Sequence, residues 1–571
     1  MHDSAPLRFD DYPQTPHGGH LVDQVVPPER RNQEIEQARS LPAIMVDLQA
    51  VITIEMICTG VLSPNKGFMN QADYLSSLEK GRLADGTIWP VPLSFAPVGR
   101  RNAEIIGKLS VGDSVALVDH EGNPVARLEV NDLFDYDREH RAKHLFGTTD
   151  RSHPGVASIF ERMGDVSIGG HLYLLNRVDW GPFEALRREP RDIWHLFYEE
   201  RKFKSVAGFI TGANPLHRGH EYIHRNALEE VDGVFLQPLV EMAKREFVRP
   251  EYRVRAYRNV LDTYYPKDRA ILSPLRVTYI FAGPREAVLH ALIMKNYGCT
   301  HALIGRDHAG IGSFYDKYAG HSIFDEYDPQ ELGISVRLFH EVFYCMRCAC
   351  HATEQTCPHD ERHHLNISGT AIREMLRFGI IPPKEVVRPE SALPAMQGVQ
   401  PKGVDERDFG TMHVGGVVRK IFPYYMKYAA LGGQARAVPL KEEDLGVADL
   451  EAACRDVREH ASRLYGDIYR EYSALLDVNR NVQPGWITEA RDAVAGYQKD
   501  LIGDLENKLA QAQDETSDQF MYQDRAEVER ELQAARDLLQ DIPPTVSNNR
   551  LQQRIWNDMP YRRYRGADEG S

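Results

Sequence analysis

Between residues 201 and 344, short apolar runs alternate with longer runs of helical periodicity, and this limits the fold more than any other feature. SVAGFI is followed by a helical run from His217, and GVFLQPLV by REFVRPEYRVRAYRNVLDTYY. RAILSPL is followed by GPREAVLHALIMKNYG, and HALI by the loop GRDHAG. A parallel neighbour strand is reached only through a crossover, usually a helix, so this alternation predicts an α/β, doubly wound parallel sheet. Ligands of such sheets bind beyond the carboxyl ends of the strands. TGANPLHRGH (211–220) and GRDHAG (305–310) both lie at such ends, so they are expected on one rim.

The flanks read differently. At 571 residues the chain is too long for one core, so several domains are expected. Residues 1–40 are polar and rich in Pro, His and Gly, an arm laid on the surface. Residues 41–200 are β-rich, with SVALVDHEGNPVARLEV (114–130) a hairpin around an Asn-Pro turn. The region 201–344 is the sheet domain, 345–395 a Cys/His-rich insert ending in ISGTAIREM, and 396–446 a linker. Residues 447–571 form a helical C-terminal extension, with apolar stripes at three-to-four spacing over Leu450–Leu475, Ile487–Leu509 and Val528–Leu539. These stripes suit a hairpin, small bundle or coiled coil that packs on the body or supplies an interface between the subunits of an expected homo-oligomer.

Composition narrows the function classes. A net charge of -15 argues against nonspecific nucleic-acid binding, while leaving room for a local cationic pocket. No apolar run is long enough to span a membrane, and the N-terminus lacks a basic-then-apolar signal. Seven cysteines, four of them between Cys345 and Cys357, form a local cluster and not a disulfide framework, so a reducing, cytoplasmic setting is expected. No G-x4-G-K-[ST] occurs, which excludes a P-loop kinase module.

In TGANPLHRGH, Gly212 permits the strand-to-turn backbone, Asn214-Pro215 sets the turn, and His217 and His220 open a helix. Helix starts offer unpaired N–H groups and a positive dipole end, and imidazoles beside them can donate to phosphate. Gly219 leaves room for a ligand to approach the backbone. The bland alternative is a turn with two solvated histidines. Ser368 and Thr370 in ISGTAIREM can bind phosphate oxygens with the N–H groups of the following helix, and Arg373 adds charge; otherwise they form a plain helix cap. GRDHAG brings Gly305, Arg306, Asp307, His308 and Ala309 to a strand end, to meet a ligand or to form a loop salt bridge.

The insert CMRCACHATEQTCPHDERHH (345–364) has C-x2-C and a third cysteine nine residues on, a spacing that suits a tetrahedral structural Zn2+. Cys345, Cys348 and Cys357 are the expected ligands. His359, His363 and His364 compete for the fourth place, with His359 favoured as nearest in sequence. Cys350 is a bystander.

With its helix-mouth histidines, the chain resembles the HxGH nucleotidyltransferases. It resembles the ATP sulfurylase family more closely, from about residue 40 to 395. The likeness rests on GVLSPNKGFM, RLADGTIWPVP, NPLHRGHEY, YYPKDR, AGPREAVLHALIMKNYGCTH, GRDHAG, SGTAIREML and RPE. It implies a PUA-like β-rich domain ahead of the nucleotidyltransferase domain. It also implies that ATP and sulfate form adenylyl sulfate and pyrophosphate with Mg2+. Asn214, His217, His220 and Arg306 would contact phosphates or the transition state, and the Ala309 N–H would lie near sulfate. One departure stands out. The family's Gln-x-Arg-Asn-Pro is here Thr211-Gly212-Ala213-Asn214-Pro215, so the Gln and Arg that hold sulfate are replaced by Thr211 and Ala213. Losing a charge-assisted contact costs on the order of 1.5–3 kcal/mol. Either another cation (Lys244, Arg245 or Arg276) takes over, or the acceptor is a sulfonate, phosphonate or carboxylate. A non-catalytic nucleotide-binding scaffold is the third reading, and the intact motifs argue against it.

Overall fold

A computed structural model describes residues 9–240, 248–277, 280–311, 314–367 and 384–399, with isolated positions at 369–382 and 499–536. Ser368, Thr370, Lys244, Arg245 and the linker beyond residue 399 lie outside the described residues, as does nearly all of the C-terminal extension. The chain forms two compact units: one of residues 1–212, 225–242 and 266–339, the other of 213–224, 243–265 and 340–571.

The first unit holds two five-stranded sheets. One contains β1 (Ala43–Met45), β2 (Gly67–Phe68), β3 (Ser114–Val118), β4 (Pro124–Asp135) and β5 (Val166–Leu174), in the order β1-β3-β4-β5-β2. Strands β3 and β4 are the antiparallel hairpin expected from the sequence. Its turn is held by the Asp119 carboxylate, which accepts the backbone N–H groups of Glu121 and Asn123, both at 2.9 Å. The second sheet contains β6 (Val206–Thr211), β7 (Gly233–Pro238), β8 (Ala270–Leu272), β9 (His301–Ile304) and β10 (Ser335–Leu338), in the order β10-β9-β6-β7-β8. Every pairing in it is parallel. All six residues of β6 and all six of β7 are buried, as strands covered on both faces require. The expected parallel sheet is therefore present. Strand β10 was not legible, because an edge strand reading Ser-Val-Arg-Leu has no apolar run to announce it.

Helix Pro284–Asn296 is buried on every side from Glu286 to its end, although it carries Glu286, His290, Lys295 and Asn296. Its terminal Asn296 is a polar tie. Its Nδ2 donates to the carbonyls of Val61 and Ser63, both at 3.0 Å, and its Oδ1 accepts the His17 N–H at 2.9 Å. The N-terminal arm is thus built into the unit at His17, which is only 3% exposed.

The second unit carries a three-stranded sheet, β11 (Phe343–Cys345), β12 (Cys350–Ala352) and β13 (His364–Asn366), in the order β12-β11-β13. In the same unit helix Pro250–Tyr264 packs on helix Pro389–Gly398. Of the C-terminal stripes, Leu532 is buried and Arg536 donates to Glu506 at 2.6 Å. No helix among the described residues is long and apolar enough to cross a membrane.

Candidate functional site

Strands β6 and β9 are parallel neighbours, with Ala207 opposite His301 and Gly208 opposite Ala302. Thr211 and Gly305 therefore leave the sheet at the same, carboxyl edge, which is the rim expected for the strand ends.

Beyond Gly212 the chain enters the second unit and starts helix Arg218–Leu228. The His217 and His220 rings lie 3.8 Å apart, centroid to centroid. Burial pushes the His220 imidazole down to about 4, so at neutral pH it offers an N–H and no charge. A side chain at Gly219 would begin 3.2 Å from the His217 ring, so glycine is what lets the two histidines close up. The Arg218 N–H, one of the helix's first donors, is satisfied by the Val386 carbonyl at 2.8 Å.

Asn214 is 6% exposed. Its Oδ1 accepts the Val248 N–H at 2.9 Å, which fixes the amide orientation. Its Nδ2 is then a buried donor with no partner among the described residues, and such a donor calls for a ligand oxygen or a water. Arg373 donates through Nη1 to the Asn214 carbonyl at 3.1 Å.

Around the helix mouth stands a second ring of contacts, missed when the motifs are read singly. The Nε of Arg388 lies 2.9 and 2.7 Å from the two oxygens of Glu221. The Arg388 guanidinium lies 3.5 Å from the Tyr264 ring centroid, and the Tyr264 hydroxyl donates to Glu390 at 2.8 Å. Tyr265 pairs with His224 at 2.9 Å. NPLHRGHEY, YYPKDR and RPE are thus one physical unit. Their charges and aromatics in sequence were the available signal.

In the first unit, Asp307 (φ 53°) and Ala309 (φ 54°) sit in the left-handed region, rare for residues with a side chain. The Asp307 N–H donates to the Lys317 carbonyl at 2.9 Å, and the Gly283 N–H to the Ala309 carbonyl at 3.2 Å. Arg306 is exposed. His308, read from sequence as a nucleotide contact, is 9% exposed and its Nε2 lies 2.8 Å from His290 Nδ1. That nitrogen is therefore turned to the protein.

Thr211 and Ala213 are 4% and 8% exposed, small uncharged residues where the family pattern has an amide and a guanidinium. Arg276, one candidate replacement cation, donates to the Asp179 carbonyl at 2.6 Å. It lines a cavity of about 20 Å³ with Glu55, Trp180 and Arg187.

The sulfurs of Cys345, Cys348 and Cys357 and a ring nitrogen of His359 lie within 4.8 Å of one another. Cys348 Sγ is 3.9 Å from Cys357 Sγ and 3.1 Å from His359 Nδ1. A tetrahedral metal with bonds of about 2.3 Å to sulfur sets ligand atoms about 3.5–4 Å apart, so this donor set can hold a metal ion. Cys350 is outside the cluster. His364 Nε2 lies 3.5 Å from Cys357 Sγ, beside the set.

A parallel sheet with a paired-histidine helix mouth is the frame of a nucleotidyltransferase. The ATP-sulfurylase family model matches residues 184–394, and a PUA-like domain model matches 14–177. The sulfate adenylyltransferase of Chloroflexus aurantiacus is 44% identical over 377 residues, spanning 66% of this chain and 95% of that protein. That of Symbiobacterium thermophilum is 44% identical over 385 residues, 67% and 96% of the two chains. This chain belongs to the ATP-sulfurylase family. Among solved structures, a hexameric APS kinase from Thiobacillus denitrificans shares the fold, with a TM-score of 0.55 at 20% identity over 78% of this chain and 89% of that one. Residues beyond 394 lie outside both family matches.

Proposed function

We propose that this protein is an ATP-dependent sulfate adenylyltransferase. The observation that carries the reading is the His217–His220 pair at the helix mouth beside the buried Asn214 amide, in a chain whose relatives of 44% identity are sulfate adenylyltransferases. A sulfate oxygen attacks the α-phosphorus of MgATP in line. The new S–O–P linkage forms as the bond to the β-phosphate oxygen breaks, and pyrophosphate leaves. The nucleophile is already an anion, so no general base is needed, and positioning and charge stabilisation supply the acceleration. His217, His220, Asn214 and Arg306 serve the phosphates and the transition state. Gly212, Gly219, Gly305, Ser368, Thr370 and Arg373 frame the nucleotide, and Thr211, Ala213 and the Ala309 N–H face the acceptor. The small Thr211 and Ala213 favour a second reading, an oxyanion with an organic substituent.

Cys345, Cys348, Cys357 and His359 are proposed to hold a structural Zn2+ that staples the β11–β12 turn; nucleotidyl transfer needs no chemistry from it. The reduced cysteines fit a cytoplasmic enzyme, and the amphipathic stripes after residue 447 fit a homo-oligomer. Chromatography of a reaction containing MgATP, sulfate and inorganic pyrophosphatase tests the activity. Adenylyl sulfate in the product is expected, and its absence from a protein that binds ATP would refute the acceptor.

A further inference from the structure

The first unit contains a run of buried titratable side chains that phosphate binding does not use. Glu286 and His290 stand one turn apart on helix Pro284–Asn296 and are 1% and 4% exposed. The Glu286 carboxyl oxygens accept the backbone N–H groups of Ile280 at 2.8 Å and Ala282 at 3.0 Å, so the side chain holds the loop that leads into its own helix. His290 Nε2 lies 3.6 Å from Glu286 Oε1, a contact too long for a hydrogen bond. On its other side His290 Nδ1 meets His308 Nε2 at 2.8 Å. His308 belongs to GRDHAG, whose next residue is Ala309.

Other ties converge on the same loop. The Gly283 N–H donates to the Ala309 carbonyl at 3.2 Å, and His321 Nε2 lies 3.1 Å from the Gly305 carbonyl. Tyr315 covers Gly283, where an added Cβ would lie 2.7 Å from its ring, and its hydroxyl donates to the Phe281 carbonyl at 2.9 Å. Two adjacent loops at the carboxyl edge of the sheet are thus tied together from beneath. The loop needs such ties. A non-glycine residue in the left-handed region costs roughly 1–3 kcal/mol and persists only where its surroundings impose it. Asp307 and Ala309 are both in that state.

We propose that Glu286 and His290 are positioning residues for adenylyl transfer: Glu286 through the loop that ends at Gly283, and His290 through His308, hold Ala309 in its left-handed conformation and so fix the backbone N–H presented to the acceptor oxyanion. The inference rests on the reading of Ala309 as an acceptor contact. Burial suits the task. It drives the His290 imidazole well below its ordinary range, holds His308 at about 4 and lifts the Glu286 carboxyl to about 8. The two rings are therefore neutral at pH 7 and share one hydrogen bond without repulsion.

The test uses the full chain with His290→Leu, which deletes the ring-to-ring bond, and His290→Asn, whose amide sits where Nδ1 was. Three quantities are read: the sulfate KM, the MgATP Kd without sulfate, and hydrogen exchange of the amides of 305–310. In His290→Leu the sulfate KM should rise at least about tenfold, since small misplacements of a reacting group carry costs of this size. The MgATP Kd should change less than about threefold, because Ala309 is assigned to the acceptor and not to ATP, and Ala309 exchange should quicken. His290→Asn should recover most of both effects. An unchanged sulfate KM and unchanged exchange in a folded Leu variant would overturn the proposal. So would equal losses for ATP and sulfate in both variants, the mark of a merely structural role. Should the Leu variant not fold, Glu286→Gln is measured in the same three ways, and the same results support or overturn the proposal. Wild-type protein without sulfate turnover would sink the acceptor reading instead, and the exchange data would still decide whether His290 holds the loop.

Discussion

Arg388 grips Glu221, the residue that follows His220, and lies flat against the ring of Tyr264. The Glu221 side chain is 3% exposed and that of Arg388 17%. An ion pair this buried is mainly a device for specifying geometry, and removing Arg388 leaves Glu221 with the longer contact to Arg218 Nη1 at 3.5 Å, at a cost of up to about 3 kcal/mol. Arg388→Ala should lose stability of that order in urea unfolding. Arg388→Lys keeps the charge but loses the flat stack, so it should lose less stability yet still lower kcat about tenfold. Full activity in Arg388→Lys would show that the helix mouth does not depend on this grip.

The histidine pair itself should behave differently. His217→Ala and His220→Ala remove the donors proposed to serve the phosphates, so kcat should fall by about 10²–10³. The far-ultraviolet circular dichroism and unfolding midpoint should stay near those of the parent. Activity within a few-fold of the parent in either variant would refute the assignment.

Stability should pass through a maximum near neutral pH. His17, His220 and His308 are pushed down to about 4 by burial. The unfolded chain therefore binds more protons than the folded one below about 6.5. These three sites lose stability as pH falls from about 6.5 towards 4, each on the order of 1–3 kcal/mol. Glu286, lifted to about 8, has the opposite sign: its contribution is full below the unfolded carboxyl range and is lost as pH rises through 8. Three histidines outweigh one carboxyl on the acid side, and Glu286 acts alone between about 6.5 and 8. A series of Tm measurements should therefore fall steeply below pH 6 and gently above pH 7. In Glu286→Gln the gentle alkaline decline should disappear.

Metal analysis of protein purified without chelator should give about one zinc per chain, falling to near zero in Cys345→Ser. On the proposal that the cluster is structural, Cys357→Ser should lower Tm more than it lowers kcat. A full zinc content in Cys345→Ser would place the metal elsewhere.

The parallel sheet was legible because buried strands such as Val206–Thr211 and Gly233–Pro238 are continuous apolar runs, and the paired histidines because a short motif holds all its chemistry locally. The Cys/His cluster was legible for the same reason: Cys345, Cys348, Cys357 and His359 are close in sequence as well as in space. What escaped is what long-range contact creates. Nothing in the sequence joins Glu221 to Arg388 across 167 positions, or turns His308 inward to His290. His17 read as part of a polar arm because its partners, Asn296 and the Ile88 carbonyl, lie far along the chain.

Sulfate as the acceptor is tested most directly by pyrophosphate release from MgATP, measured on the purified protein with sulfate, with molybdate as its analogue, and with no acceptor. Release that depends on sulfate, with futile ATP cleavage under molybdate, is the predicted result. It would mean that a pocket carrying Thr211 and Ala213 still binds the dianion. No release with either oxyanion, from protein shown to bind ATP, would contradict sulfate as the acceptor.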